Sequence, residues 1–262
     1  LSYNTQVGWA QMMPLRKLLT RHVDRLGAPG AGSARNIREA LAFAKQLFDT
    51  APAHARSHPA AANKLQELLA QDPHYLAHEY FNRDWAPMDF ADLAEQLHSA
   101  KLTFASSAHY LDLIDPLNLT EAQQTLFDRI PDTALRETAR DFCVDKAFRK
   151  DYWHKGAQPL SAAQMAEAFR QERVILTKPR GRISLVVEGV LGVMDLSPQI
   201  YDPILDLMSD YQPHSLGEMA DNLNQIEGMD LMTLVQAAFI FSHRGEWHSA
   251  QREADQEMTR PG

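Results

Sequence analysis

Apolar side chains return along this chain at steps of three and four, and that spacing commits most of it to amphipathic helices. Met12, Leu15, Leu19, Val23 and Leu26 make one such face, and Ile37, Leu41, Ala44 and Phe48 make the next. Between them Gly27-Ala-Pro-Gly-Ala-Gly-Ser33 breaks the helix, with Ser33 placed to cap its successor. Pro52–Pro59 reads as a loop, a helix follows through Leu65 and Leu69, and Pro73 opens another through Phe81. Asp89 is placed to cap a helix bearing Phe90, Leu93 and Leu97, and Leu102–Ala105 reads as a short strand. Thr120 and Gln123 have the spacing of a capping box. The strongest helix runs from Asp132 to Trp153, with Leu135, Ala139 and Phe142 on its core face.

Beyond this the period changes. Val174–Thr177 and Ile183–Val187 are β-branched runs separated by Lys178-Pro-Arg-Gly-Arg182, a hairpin signal, and a third short run spans Val190–Leu196. Three helices follow, Pro198–Tyr211, Ser215–Gln225 and Met229–His243, and Glu246–His248 closes as a strand. Charge breaks at the same place. From Ile183 onward three arginines (Arg244, Arg252, Arg260) stand against thirteen carboxylates, a net of −10, whereas residues 1–182 carry +2. The expected fold class is mainly α with minor β: a helical domain over 1–155, a connector with a hairpin strand over 156–182, and an acidic winged-helix-like α+β module over 183–262.

The chemistry-bearing residues form no complete active site. Gly27–Ser33 lacks the lysine of a phosphate loop and follows a helix, and no strand leads into a Gly-rich turn that could cradle a nucleotide. No cofactor is therefore expected on this chain itself. His74 and His78 lie one helical turn apart, but Glu79 follows the second histidine, so the pattern is not that of a metalloprotease and no metal is expected. The single cysteine, Cys143, leaves no disulfide framework, fits a reducing cytoplasm, and reads as a buried, inert thiol mid-helix. No apolar run approaches the roughly 18–20 residues needed to span a bilayer. The would-be DNA-reading helix, Met229–His243, carries no Arg or Lys, so nucleic acid is not an expected partner. Its Leu231, Leu234, Val235, Ala238 and Phe241 suffice for a core stripe, which leaves Met232, Phe239 and Ile240 for protein contacts.

The first nine residues open as though a preceding strand had been cut off, with no Met start and no targeting segment. Ser2-Tyr-Asn-Thr-Gln-Val-Gly-Trp9 resembles the Ser-Tyr-Asn-Thr-x-Pro-Gly-Trp segment of the bacterial methyltransferase regulatory domain family, with Val7 in place of the usual proline. His78-Glu79-Tyr80, Phe90–Ala94 leading to Ala100–Ala105, and Arg140-Asp-Phe142 with Phe148-Arg149 are similar to further blocks of that family, in the same order. The resemblance implies an accessory region following a class I S-adenosylmethionine-dependent methyltransferase domain, similar to bacterial protein lysine methyltransferases. It implies S-adenosylmethionine for the parent protein, and the chain's own catalytic domain, a protein substrate or a second copy as partners. It also gives Tyr3 and Asn4 a place on the acceptor-substrate side of the catalytic cleft, and structural or interaction roles to Trp9, His78, Glu79, Arg140, Asp141, Phe142 and Arg149. The competing expectations are a free-standing helical interaction module and, against the tail charge, a transcription factor.

Overall fold

The computed structural model describes residues 1–156 and 158–251. Arg252, Glu253, Asp255, Glu257 and Arg260 of the acidic tail lie outside the described residues. Helices take up 56% of the described residues and strands 15%, so the protein is mainly α with minor β. Two compact units divide it: Ser2–Leu93 with Glu137–Arg149, and Leu1 with Ala94–Arg136 and Lys150 onward. The units interleave in sequence. Among the described residues no helix is long and apolar enough to cross a membrane.

The first unit starts with a strand, β1 (Ser2–Asn4), and a helical turn, α1 (Gln6–Trp9). Then come α2 (Met13–Leu26), α3 (Ser33–Asp49), α4 (Ala53–Ser57), α5 (Pro59–Leu69) and α6 (Pro73–Glu79). Its core gathers Leu15 and Leu19 of α2, Ile37, Leu41 and Ala44 of α3, Leu65 and Leu68 of α5, and Leu76 of α6. The helical period selects Leu15, Leu19, Ile37, Leu41, Ala44 and Leu65 of these, but it takes Leu69, which is half-buried, in place of Leu68, and Leu26, which is exposed. Two local expectations are corrected. Gly32, not Ser33, is the N-cap of α3, because a left-handed backbone (φ 83°) turns the chain there and leaves Ser33 inside the first turn. Pro52–Pro59 is not a loop but holds α4, with Pro52 as its N-cap.

Next in sequence are α7 (Phe90–His98), β2 (Leu102–Ser107), α8 (Asp115–Asn118), α9 (Glu121–Phe127), α10 (Thr133–Cys143) and β3 (Phe148–Lys155). Asp89 accepts from the backbone N–H of Ala91 at the start of α7, and Thr120 and Gln123 close a capping box on α9. The long helix expected over Asp132–Trp153 does not form. α10 ends at Cys143 because Asp145 takes a left-handed conformation (φ 46°) and the Lys146 N–H turns back to the Asp141 carbonyl. The remainder is strand, and it pairs antiparallel with β2 from Leu102↔Lys155 to Ser107↔Asp151. The face is inverted as well. Phe142 is 77% exposed and Leu135 is exposed, whereas Glu137 and Asp141 are buried. Phe142 is therefore not a core residue, and Cys143 is half-buried with a free thiol.

The second unit continues with α11 (Ala162–Gln171), β4 (Arg173–Leu176), β5 (Val186–Gly189), β6 (Gly192–Asp195) and α12 (Pro198–Leu207). It closes with β7 (His214–Ser215), α13 (Leu216–Asn222), α14 (Leu231–His243) and β8 (Trp247–Ala250). β4 lies between β7 and β8, antiparallel to both, with Leu176 opposite Trp247. The hairpin expected between β4 and β5 is absent. Arg180 in the intervening segment is instead held by Asp202 and Asp206 of α12, and β5 pairs with β6 across Val190-Leu191. The core joins Val174 and Leu176, Ile204 and Leu205, Leu216 and Met219, and Leu234, Val235, Ile240 and Phe241 around Trp247. Ile240 is thus a core residue of α14, not a contact residue, while Met232 is exposed.

These burials set the cost of two substitutions. Phe241→Ala should destabilise the chain by about 3–5 kcal/mol, as large core truncations do. Phe142→Ser should change stability by no more than about 0.5 kcal/mol, the range of exposed positions. Urea unfolding of both variants checks the assignment.

Candidate functional site

Several sequence-selected residues converge in the first unit on a cleft built from its N-terminal segment. That segment is fixed residue by residue. The Thr5 N–H donates to the Ala147 carbonyl at 3.0 Å, and its hydroxyl donates to the carbonyl of Lys146. Met88 N–H donates to Asn4 O at 2.9 Å, and Gln6 N–H to Met88 O at 3.0 Å. Gly8 N–H reaches Lys146 O at 3.1 Å, so close that a Cβ at Gly8 would lie 2.5 Å from the Ala147 backbone. Only glycine fits there. The four-residue α1 then delivers Trp9.

Trp9 meets two aromatic rings. Its centroid is 4.6 Å from that of Trp85 in an edge-to-face arrangement and 5.9 Å from that of Tyr80. Arg16 of α2 locks this group from behind. Its Nε donates to Tyr80 O at 2.9 Å, its Nη2 donates to Asn82 O at 2.6 Å, and its guanidinium lies 4.2 Å from the Trp85 ring centroid. Burial lowers the Arg16 pKa from its ordinary value, and burial raises that of the Tyr80 phenol, whose oxygen has no hydrogen-bond partner among the described residues. In front lies a cavity of about 140 Å³ lined by Asn4, Trp9, Lys64, Leu68, Gln71, Tyr75, Leu76, Glu79, Tyr80 and Trp85.

Asn4, Trp9 and Glu79 therefore come together, while Tyr3 is half-buried, His78 is exposed, and neither belongs to the lining. Trp85, Tyr80, Tyr75, Lys64 and the supporting Arg16 were not anticipated as site residues. Arg16 had a signal: it sits one turn beyond Met12 and one before Leu19 or Thr20, on the flank of the buried stripe. The cleft offers aromatic faces, two carboxamides, one carboxylate and one ammonium group. It has room for a side chain, since it falls below the roughly 300 Å³ at which small-molecule sites begin.

The other group, Arg140, Asp141 and Arg149, forms a buried charge cluster in the same unit. Arg149 donates to Asp141 Oδ1 at 2.8 Å and Glu137 Oε2 at 2.9 Å, and its guanidinium lies 4.4 Å from the Phe90 centroid. Arg140 approaches Glu137 at 3.8 Å. Burial pushes the Asp141 carboxyl up to about 6, against the opposing pull of Arg149. Among the described residues no group of three or more His, Cys, Asp or Glu side chains is placed to hold a metal ion.

Residues 72–155, from α6 to the end of β3, match the family model described as a predicted methyltransferase regulatory domain. An uncharacterized protein of Synechocystis sp. is 33% identical over 253 residues, 97% of this chain and 49% of the relative. The chain thus spans about half the length of the curated relative it matches. The structure of PKMT2 from Rickettsia typhi is similar to it in fold, with a TM-score of 0.61 and 15% identity over 96% of this chain and 51% of that one. The structure of PKMT2 in complex with AdoHcy gives a TM-score of 0.60 at 15% identity, over 96% and 52%.

Two outcomes follow for the charge cluster. Arg149→Met removes the buried guanidinium that two buried carboxylates share and should cost about 3–5 kcal/mol, read from denaturant midpoints. The raised Asp141 pKa means that the folded state binds more protons than the unfolded state between the ordinary value of 3.8 and about 6. Its contribution to stability is therefore largest at the acid end of that window and is lost as pH rises through it. Asp141→Asn should flatten the decline, seen as a smaller drop of the urea midpoint between those two pH values than in the unsubstituted chain.

Proposed function

We propose that this chain is the accessory region of an S-adenosylmethionine-dependent methyltransferase directed at proteins, and that it binds and positions the acceptor protein. The observation that carries the reading is the cleft of Asn4, Trp9, Glu79, Tyr80 and Trp85, where the N-terminal segment meets the start of the family-matched range. Aromatic faces beside one carboxylate suit an amphipathic side chain of a polypeptide. The cavity is too small for the cofactor, and no Gly-rich turn follows a strand, so S-adenosylmethionine belongs to a separate catalytic domain in this reading. PKMT2, which is similar in fold, has a structure in complex with AdoHcy, and this supports the methyltransferase context of the reading.

We read the second unit as winged-helix-like on the strength of α12, β7, α13, α14 and β8 in chain order, with β4 completing the sheet. Its role is protein contact and not DNA binding: α14 presents Met232 outward and no lysine or arginine, and the tail repels a polyanion. Consecutive domains over 1–155 and 183–262, a cytoplasmic location, and contact with the catalytic domain or a second copy belong to the same proposal.

Two measurements test it. Titration calorimetry of the chain with S-adenosylmethionine should give no binding heat, and a micromolar-range complex would overturn the division of labour. In the longer polypeptide, Trp85→Ala should raise KM for the protein acceptor about tenfold while KM for the cofactor stays within about twofold. Equal rises in both would place the cleft at the cofactor and sink the reading.

A further inference from the structure

The β5–β6 hairpin of the second unit is an apolar, acidic element with one open edge. Its base is rigid. Gly189 packs so tightly on α8 that a Cβ there would lie 2.3 Å from the Leu117 carbonyl oxygen. The Leu191 N–H donates to that same oxygen at 3.1 Å, and Val190 N–H donates to the side-chain oxygen of Asn118 at 3.4 Å. Asn118 is itself buried, with its amide donating to Leu111 O at 2.6 Å and Ile114 O at 3.0 Å. On the far side of β5, Arg244 donates to Val186 O at 2.8 Å and Ser184 O at 2.7 Å, which closes that edge.

The edge of β6 is different. β6 pairs only with β5 among the described residues, and all four of its residues are exposed. Leu196 N–H donates inward, to Leu185 O at 2.7 Å. By the alternation of an antiparallel ladder, Met194 also faces β5, and the backbone groups of Val193 and Asp195 point away from it. The outer face of the hairpin follows from the register Val186↔Asp195 and Glu188↔Val193: two valines and two carboxylates, alternating along and across the strands. Val193 is 70% exposed, and exposed Val190 and Leu191 extend the apolar surface at the turn.

We propose that β6 is a docking edge for an extended polypeptide segment added as a third strand, whose same-face positions (every second residue) are in turn apolar and basic. Backbone pairing to Val193 and Asp195 supplies the hydrogen bonds, Val186 and Val193 take the apolar side chains, and Glu188 and Asp195 take the lysine or arginine side chains. A second copy is the poorer occupant, because it would bring together two modules whose sequence from Ile183 onward carries a net charge of −10 each. The proposal stands apart from the methyltransferase reading, since no methyl transfer enters its test.

The test is fluorescence anisotropy of the full chain at about 0.15 M salt with a labelled peptide of Lys-Thr-Val-Thr repeats (the lysine–valine peptide), about ten residues long, which sets lysine and valine in turn on one face; in the glutamate–valine peptide glutamate replaces lysine. Three companions are a glutamate–valine peptide, a lysine–valine peptide N-methylated at alternate residues, and sedimentation velocity. The lysine–valine peptide should bind, the other two should bind at least about tenfold more weakly, and Asp195→Lys should weaken the lysine–valine peptide about threefold or more and narrow its lead over the glutamate–valine peptide. Val193→Ser should weaken binding about threefold or more with an unchanged thermal midpoint, because the position is exposed. Failure of the lysine–valine peptide to bind, indifference to Asp195→Lys, or full binding of the N-methylated peptide overturns the proposal. So does a dimer that Val193→Ser dissolves in the absence of peptide binding, which would give the edge to a second copy.

Discussion

The Arg149 guanidinium holds the first unit together. It reaches two buried carboxylates, Glu137 and Asp141, and packs over Phe90, so one side chain ties α10, the beginning of β3 and the beginning of α7 into a single body. Coulomb attraction alone does not explain such a cluster, because taking three charges from water costs several kcal/mol each. Its value is positional: the two carboxylates and the guanidinium fork define one geometry, and any register slip strands a charge. The backbone just before Arg149 is what Thr5 and Gly8 bind through Lys146 and Ala147. The placement of Trp9, and with it the aromatic cleft, therefore depends on a segment some 140 residues further along the chain.

Where burial is apolar, the helical period of the sequence locates the elements well. α2 and α3 bury most of the residues it selects (Leu26 is exposed), α5 buries Leu65 and, one position off, Leu68, and the capping chemistry at Thr120, Ser215 and Asp89 marks true starts. It misleads where the inward side chains are charged. Along α10 and β3 the inward residues are Glu137, Asp141, Arg149 and Asp151, while Leu135, Phe142, Phe148 and Tyr152 face out. A reading that sends apolar groups inside then inverts the helix and carries it straight through the strand. Strand pairing was illegible for another reason. β4 looks like half of a hairpin, but its partners lie about 40 and 75 residues downstream, and no local pattern encodes such a choice.

The candidate cleft was half legible. Asn4, Trp9 and Glu79 were accessible through the family blocks that contain them, whereas Trp85 lies outside every such block and Arg16 hides within a helix face. What joins them is packing at a distance: an aromatic trio is assembled from α1, the end of α6 and the segment after it, with an arginine of α2 holding their backbone.

The interleaving of the two units has a consequence for synthesis. As the chain is made from its N-terminus, residues 2–93 emerge without Glu137–Arg149, the segment that completes their body. The intervening residues 94–136 belong to the other unit and act as a loop whose closure costs entropy before any contact rewards it. A nascent chain halted before Arg149 exposes Phe90 and the unpaired edge of the N-terminal segment, surfaces of the kind that recruit holding factors. The first unit is therefore complete only once Arg149 has been made, and a cut at the visible helix boundary near Leu93 separates a body from its own keystone.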